Sequence, residues 1–266
     1  MAAICYWNFG RLGDEVTSAD HVSKATTPVA SAGAKPTTVP EFEALFSGSH
    51  LDRHIWDTCY PWLKQQGCNN FGNKEESEWY LPSQVKVYGG LVHLVAHRQV
   101  THGTNADGDP KTYYCRSGMI TSYPGFNFEY GDVQIVAWIP ASPGLWPAIW
   151  LDPSNLQWPP EMDMVESWGD DEWAGSFFHP YPKGTKPDRG VIRPASLATG
   201  WHTFGLSWTQ SAMTWTIDGR VTLSVHEKIP HQKMFIIADL ASYQPVGGVN
   251  ECKGSLLIRS VKVWRS

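Results

Sequence analysis

The chain has 266 residues, a formal net charge of -5 and 18% charged residues, a length that one all-β domain commonly fills. Hydrophobic residues make up 42%, too many for a disordered chain; no apolar run approaches a membrane-spanning helix, and 21 Lys and Arg against 26 Asp and Glu, without a basic run, offer nothing to nucleic acid. The departure from average is 14 Trp, 10 Tyr and 10 Phe, which predict a surface where planar or ring-shaped ligands stack.

In chain order, Met1 to Cys5 lead into Trp7-Asn8-Phe9-Gly10-Arg11, which is not the apolar core of a signal peptide. Either export depends on a segment outside this sequence or the protein stays inside. From Ala25 to Pro40, 13 of 16 residues are Ala, Ser, Thr, Gly or Pro, a composition that buries too little apolar area to offset ordering entropy. Residues 1–40 therefore read as an N-terminal extension, a linker or a strap, with an edge strand over 14–30 as a lesser alternative, and 41–266 as the compact domain. Cys59 and Cys68 could close a loop as a disulfide in an oxidising compartment, or all five cysteines could be buried thiols; no C-x-x-C pair suggests zinc or thioredoxin-type chemistry.

Beyond Glu41 the signals are those of strands. Leu91–His97 follows a Gly89-Gly90 turn, Val133–Ile139 runs into Pro140, Met213–Ile217 runs into the hairpin-forming Asp218-Gly219, and Leu256–Trp264 supplies a C-terminal strand. No window carries a sustained 3.6-residue apolar period, so the fold is all-β, and short strands over this length predict a two-sheet sandwich or jelly roll. His93 and His97, four apart, have no intervening Glu and lie in a strand pattern, so they are set aside as a zinc pair. No G-x-S-x-G elbow or phosphate-cradling loop is present, and Asp170-Asp171-Glu172 reads as a solvated loop.

The most informative segment is Glu161-Met162-Asp163-Met164-Val165-Glu166, three acids interleaved with apolar residues. Glu161 and Asp163 share a strand face; plain alternation would turn Glu166 into the core, and a β-bulge at Met164-Val165 returns it to the face of the other two. Paired carboxyls on one face suit retaining glycoside cleavage, in which one attacks the anomeric carbon while the other protonates the leaving oxygen. Asp163 between them would hydrogen-bond a Glu and, by like charge, hold the acid's pKa up. The bland alternative, an exposed polar strand face, is costly because three like charges repel.

This segment resembles the bulged E-x-D-x-x-E signature of glycoside hydrolase family 16, in its laminarinase-like branch. Gly144-Leu145-Trp146-Pro147-Ala148-Ile149-Trp150-Leu151 before it, Trp201–Trp208 and Trp215–Gly219 after it, and Tyr114–Ile120 with Glu78-Trp79-Tyr80 also resemble family segments in the right order. The resemblance covers about Phe46 to Trp264. It implies a concanavalin A-like β-jelly-roll with an open cleft on the concave face of one sheet. It further implies Glu161 as nucleophile, Glu166 as general acid/base and Asp163 as assisting carboxylate. Trp146 and Trp150 would be sugar platforms, with core packing as the alternative, and Arg116 and His179 would be cleft-lining hydrogen-bonders, with purely structural roles as the alternative. Among Glu75, Glu76 and Glu78 the acid that reaches sugar stays open. No cofactor is required; many members bind a structural calcium through an Asp in the last strand, and Arg259 takes that position here.

The resemblance implies a secreted, monomeric endo-acting hydrolase of β-1,3 or mixed β-1,3/1,4-glucan, its partner a polysaccharide and neither nucleic acid nor membrane. A transglycosylase of the same fold, a hydrolase of another polysaccharide such as a galactan, and a lectin without turnover are the alternatives.

Overall fold

The computed structural model describes residues 39–66, 76–105, 108–169, 174–181, 186–192, 196–243 and 251–265. The readings of residues 1–38, Cys68, Glu75 and Asp170-Asp171-Glu172 fall outside these. The described chain forms β1 (Phe42–Leu45), β2 (Glu78–Tyr80), β3 (Val85–Tyr88), β4 (Leu91–Thr104), β5 (Pro110–Ser117), β6 (Met119–Thr121), β7 (Gly131–Trp138) and β8 (Leu145–Pro153). It continues through β9 (Glu161–Ser167), β10 (Ala174–His179), β11 (Asp188–Ile192), β12 (His202–Trp208), β13 (Met213–Ile217), β14 (Arg220–Val225), β15 (Met234–Ser242) and β16 (Lys253–Trp264). The helical content described is three short 3-10 segments.

The strands build a jelly-roll sandwich. A six-stranded sheet runs β11-β10-β9-β8-β15-β6, and a ten-stranded sheet runs β14-β13-β12-β7-β16-β4-β5-β2, with β1 added on β16 and β3 on β4. Pairing is antiparallel throughout the described sheets except for β2 on β5. The hairpin predicted at Asp218-Gly219 is present, both residues having positive φ (51° and 76°), the conformation of a tight two-residue turn whose twist matches its strands.

Period-two alternation explains the core. On β7, Val133, Ile135 and Ala137 point inward, and on β12 Phe204, Leu206 and Trp208 do; they meet Ile149 and Leu151 of β8, Met162 and Val165 of β9, and Ile236, Ala238 and Leu240 of β15 in one cluster. β8 and β15 are buried at every position, because their second face lies under the aromatic side chains of the cleft. Trp208 and Trp215 are core residues. Trp264 is not: Val263 takes the inward position, so alternation leaves the Trp264 ring partly exposed.

Two features bear on the remaining expectations. Cys115 and Cys252 are joined in a disulfide across a sequence separation of 137, and Cys59 is also disulfide-bonded. Arg259 is the extra residue of a bulge in β16, and its guanidinium lies 3.9 Å from the centroid of the Trp201 ring. A fixed cation stacked on an aromatic face cannot take the part of an anionic calcium ligand. The side chain at this position thus does not fit the structural calcium of the family.

Candidate active site

The bulge of β9 is seen from both neighbouring strands. Against β8, Leu151 pairs with Met162 and Trp150 with Asp163, but Ile149 pairs with Val165 and Ala148 with Glu166, so one residue of β9 is skipped. Against β10 the register shifts at the same place: Phe177 pairs with Asp163, and Gly175 with Glu166. Met162, Met164 and Val165 enter the core, while Glu161, Asp163 and Glu166 line one cleft with Tyr60, Glu76, Trp146, Ala148, Trp150, Asp239 and Ala241.

Cross-strand rows give the cleft its shape. One row is Asp239, Ala148, Glu166 and Gly175 on β15, β8, β9 and β10. The residues on either side of Glu166 in this row, Ala148 and Gly175, are small. At Gly175 a Cβ would come within 2.6 Å of the Phe177 ring, so no larger residue fits beside Glu166. Along β8, Trp146 and Trp150 stand one side-chain step on either side of Ala148. The result is a niche with an Ala floor, two indoles along the strand and a carboxyl on each flank, the shape and chemistry that suit one sugar ring with its apolar C–H face and its hydroxyls.

Each acid is held by a named partner. Trp158, in the loop entering β9, donates its Nε1–H to Glu161 Oε2 at 2.5 Å, and Trp146 Nε1 donates to Glu166 Oε1 at 3.0 Å. His179, opposite Glu161 on β10, places Nε2 3.1 Å from Asp163 Oδ2 and 4.0 Å from Glu161 Oε1. Trp150 Nε1 donates to Asp239 Oδ2 at 2.7 Å, and the Tyr80 hydroxyl to Asp239 Oδ1 at 3.3 Å. Behind them, Trp168 stacks on Trp146 (5.6 Å between centroids), and Tyr60 stacks on Trp62 (4.9 Å) beside Trp150.

Burial dominates the electrostatics. It pushes Glu161 up to about 8, with the charge of Asp163 adding to it and His179 and the Trp158 N–H opposing it. Burial also raises Asp163. Glu166 is driven well above the carboxylate range by burial and by the charges of Asp163 and Glu161, opposed by the Trp146 N–H. Glu161 therefore has two neighbours that favour its anion and Glu166 one. Glu166 is also the most exposed of the three. The arrangement can hold a proton on Glu166 while Glu161 and Asp163 share charge against His179, which is a division of labour between acid and nucleophile.

Of the residues singled out in the sequence, Glu161, Asp163, Glu166, Trp146, Trp150 and His179 are brought together. Trp146 and Trp150 are both mostly buried, with faces turned to neighbouring rings as well as to the cleft. Arg116 is not brought here: it stands on β5 in the ten-stranded sheet, where Cys115 points to the core and Arg116 the other way, its Nε donating to Thr101 Oγ1 at 3.0 Å. Between the two described acids of the 71–78 stretch, Glu76 lines the cleft, whereas Glu78 is fully buried and accepts the Ser242 N–H at 2.7 Å, tying β2 to the end of β15. Sequence reasoning missed Asp239, Trp158 and Tyr60. Asp239, an acid in the apolar run Met234–Leu240, was the one that left a signal. Among the described residues the one group of three side chains spaced to hold a metal is Glu161, Asp163 and His179.

Comparison with known proteins gives a consistent picture. The endo-1,3-1,4-beta-glycanase ExsH of Rhizobium meliloti (strain 1021) is 28% identical over 203 residues, 73% of this chain and 43% of the relative. A glucan endo-1,3-beta-glucosidase of Cryptopygus antarcticus is 28% identical over 198 residues, 69% of this chain and 67% of that one. The chain thus spans less than half the length of the first of these relatives. The laminarinase catalytic domain from Thermotoga maritima MSB8 superposes with a TM-score of 0.73 at 20% identity, covering 86% of this chain and 98% of that one, which shows a shared fold. Residues 80–242, more than half of the sequence, match the description "Glycosyl hydrolases family 16", and the chain belongs to that family.

Proposed function

We propose that this protein is a retaining, endo-acting hydrolase of β-glucan, acting on β-1,3 or mixed β-1,3/1,4 linkages. The observation that carries the reading is the bulge that puts Glu161, Asp163 and Glu166 on one face, in a niche lined by Trp146 and Trp150. Glu161 is the nucleophile. Its Oε1 attacks the anomeric carbon while Oε2 is held by Trp158. Glu166 gives its proton to the glycosidic oxygen as the C–O bond breaks, which leaves a glycosyl ester on Glu161 and frees the leaving chain. Water then attacks the same carbon, Glu166 takes its proton, and Glu161 departs as a carboxylate. Asp163 positions the nucleophile and balances His179.

The names of the related glucanases support the substrate class. The Cys115–Cys252 disulfide supports a secreted enzyme, since such bonds persist in oxidising compartments. Among the described residues no helix is long and apolar enough to cross a membrane. We assign residues 41–266 to the catalytic unit, in keeping with a first described strand at Phe42, and residues 1–40 to an extension.

A reducing-sugar assay on laminarin, lichenan, agarose, carrageenan and xyloglucan tests the substrate: release from laminarin or lichenan is expected, and none from either would overturn the assignment. Glu161→Gln should abolish turnover and keep laminari-oligosaccharide binding by calorimetry. A wild type that binds but shows no turnover to lose would instead mark a lectin.

A further inference from the structure

We infer that Asp239 makes this cleft selective for uncharged polysaccharide against chains bearing carboxylate or sulfate groups. The inference rests on the glycanase reading above and adds the charge class of the substrate. The cleft is lined by five carboxyl groups, Glu76, Glu161, Asp163, Glu166 and Asp239, and among the described residues no Lys or Arg lines it. His179 faces Asp163 and Glu161, and the cation beside Glu76, Lys111, gives its ammonium to the Glu76 backbone carbonyl at 2.5 Å. Asp239 is the acid of this set outside the triplet whose anion is best supported, by the indole N–H of Trp150 and the hydroxyl of Tyr80.

Its position gives that charge leverage. Asp239 and Glu166 flank Ala148 in one cross-strand row, their backbones roughly 10 Å apart at two strand spacings. A ring seated on Ala148 between Trp146 and Trp150 has a carboxyl on each side. Its hydroxyls can donate to these acceptors, whereas a carboxylate or sulfate on the ring would face like charge, with no Lys or Arg among the described lining residues to meet it. Glu76, on the same side of the cleft, reinforces the effect as an acceptor of hydroxyl protons.

The test compares kcat/KM at pH 7 on laminarin derivatised to the same degree with carboxymethyl groups or with neutral hydroxyethyl groups of similar bulk. At low salt the wild type should cleave the carboxymethyl form roughly tenfold or more slowly than the hydroxyethyl form. Raising NaCl to about 0.5 M should narrow the gap by screening. Asp239→Asn, which keeps an acceptor for Trp150, should narrow it at low salt, and the ratio is read within the variant, so a general loss of activity cancels. Equal rates on the two derivatives, or a gap that either salt or Asp239→Asn leaves unaltered, would overturn the inference. Should Asp239→Asn fail to fold, the same ratio is read in Asp239→Ser, which also removes the charge. Absence of turnover on plain laminarin would overturn the glycanase reading instead. Charge selection is then read from calorimetry with neutral and carboxymethyl laminari-oligosaccharides, where equal affinities overturn it.

Discussion

Trp158 holds Glu161 Oε2 through its indole N–H at 2.5 Å, and this one donor does two jobs. It fixes which oxygen is left to attack, and it favours the anion in a site where burial and Asp163 both push the carboxyl up. Trp158→Phe keeps a ring and removes the donor. A hydrogen bond to a charged group is worth about 1.5–3 kcal/mol, so kcat should fall about 10- to 100-fold. The acidic limb of the kcat/KM profile should move to higher pH, because the nucleophile then needs less acid conditions to ionise. Loss of activity with an unmoved limb would count against the assigned role. Glu166 makes the complementary case. Its folded-state pKa is raised, chiefly by burial, so the stability it contributes is fully present below its unfolded value and is lost as pH rises through the folded one. Glu166→Gln should therefore melt with the wild type near pH 4 and a few degrees above it at pH 8, while turnover collapses at both. Equal melting temperatures at pH 8 would contradict the buried, like-charged setting. Asp239 left a signal as an acid in an apolar run, but its partners Trp150 and Tyr80 lie 89 and 159 residues away, and Trp158 is three residues from Glu161 without any pattern that says its N–H turns back to that carboxyl. The triplet could be picked out beforehand, since all three acids and the bulge that aligns them lie within one strand.

The bulge is the element on which the site depends. Both partner strands skip one residue of β9 between Asp163 and Val165, so removing Met164 leaves the pairing of Glu166 with Ala148 and Gly175 intact on a regular strand. Deletion of Met164 should thus give a folded enzyme with measurable glucan hydrolysis. It should be less stable by about 1–4 kcal/mol, because a core Met is lost and only Val165 is left to fill its place. Insertion of Ala after Met164 should abolish turnover: the regular strand that absorbs it carries Glu166 about 7 Å further from Glu161. An inactive deletion variant that folds, or an active insertion variant, would show that the acids are placed by something other than this register. Cross-strand register also explains Arg116. Its segment looked like a family element, but β5 lies in the ten-stranded sheet, where alternation turns Cys115 into the core and Arg116 to the opposite face, and neither lines the cleft.

At the scale of the whole molecule the two sheets divide the work, the smaller carrying the cleft and the larger closing the core behind it. The strands of the larger sheet were legible in advance at Val133–Ile139, Met213–Ile217 and Leu256–Trp264, whose alternation or apolar runs bounded by turns mark strands regardless of their partners. The staple of the larger sheet was not. Proximity in sequence suggested Cys59 with Cys68, a pairing that lies outside the described residues, and gave no hint of Cys115 and Cys252, which are 137 residues apart and become neighbours only because β5 and β16 flank β4. Both sulfurs are buried, with the Cα atoms at 5.6 Å. Closing so long a loop restricts the unfolded chain, and losing a native bridge commonly costs about 2–5 kcal/mol. The double variant Cys115→Ala/Cys252→Ala should therefore melt roughly 5–15 °C below the wild type by calorimetry. Its kcat on laminarin at 25 °C should stay within about twofold of the wild type, because Glu161, Asp163, Glu166, their indole donors and Ala148 all belong to the other sheet or to the loop entering β9, and the larger sheet supplies Tyr80 as a donor to Asp239 but none to the triplet. A large fall in kcat without a fall in melting temperature would mean that the staple shapes the cleft directly, and the separation of scaffold from chemistry drawn between the two sheets would fail.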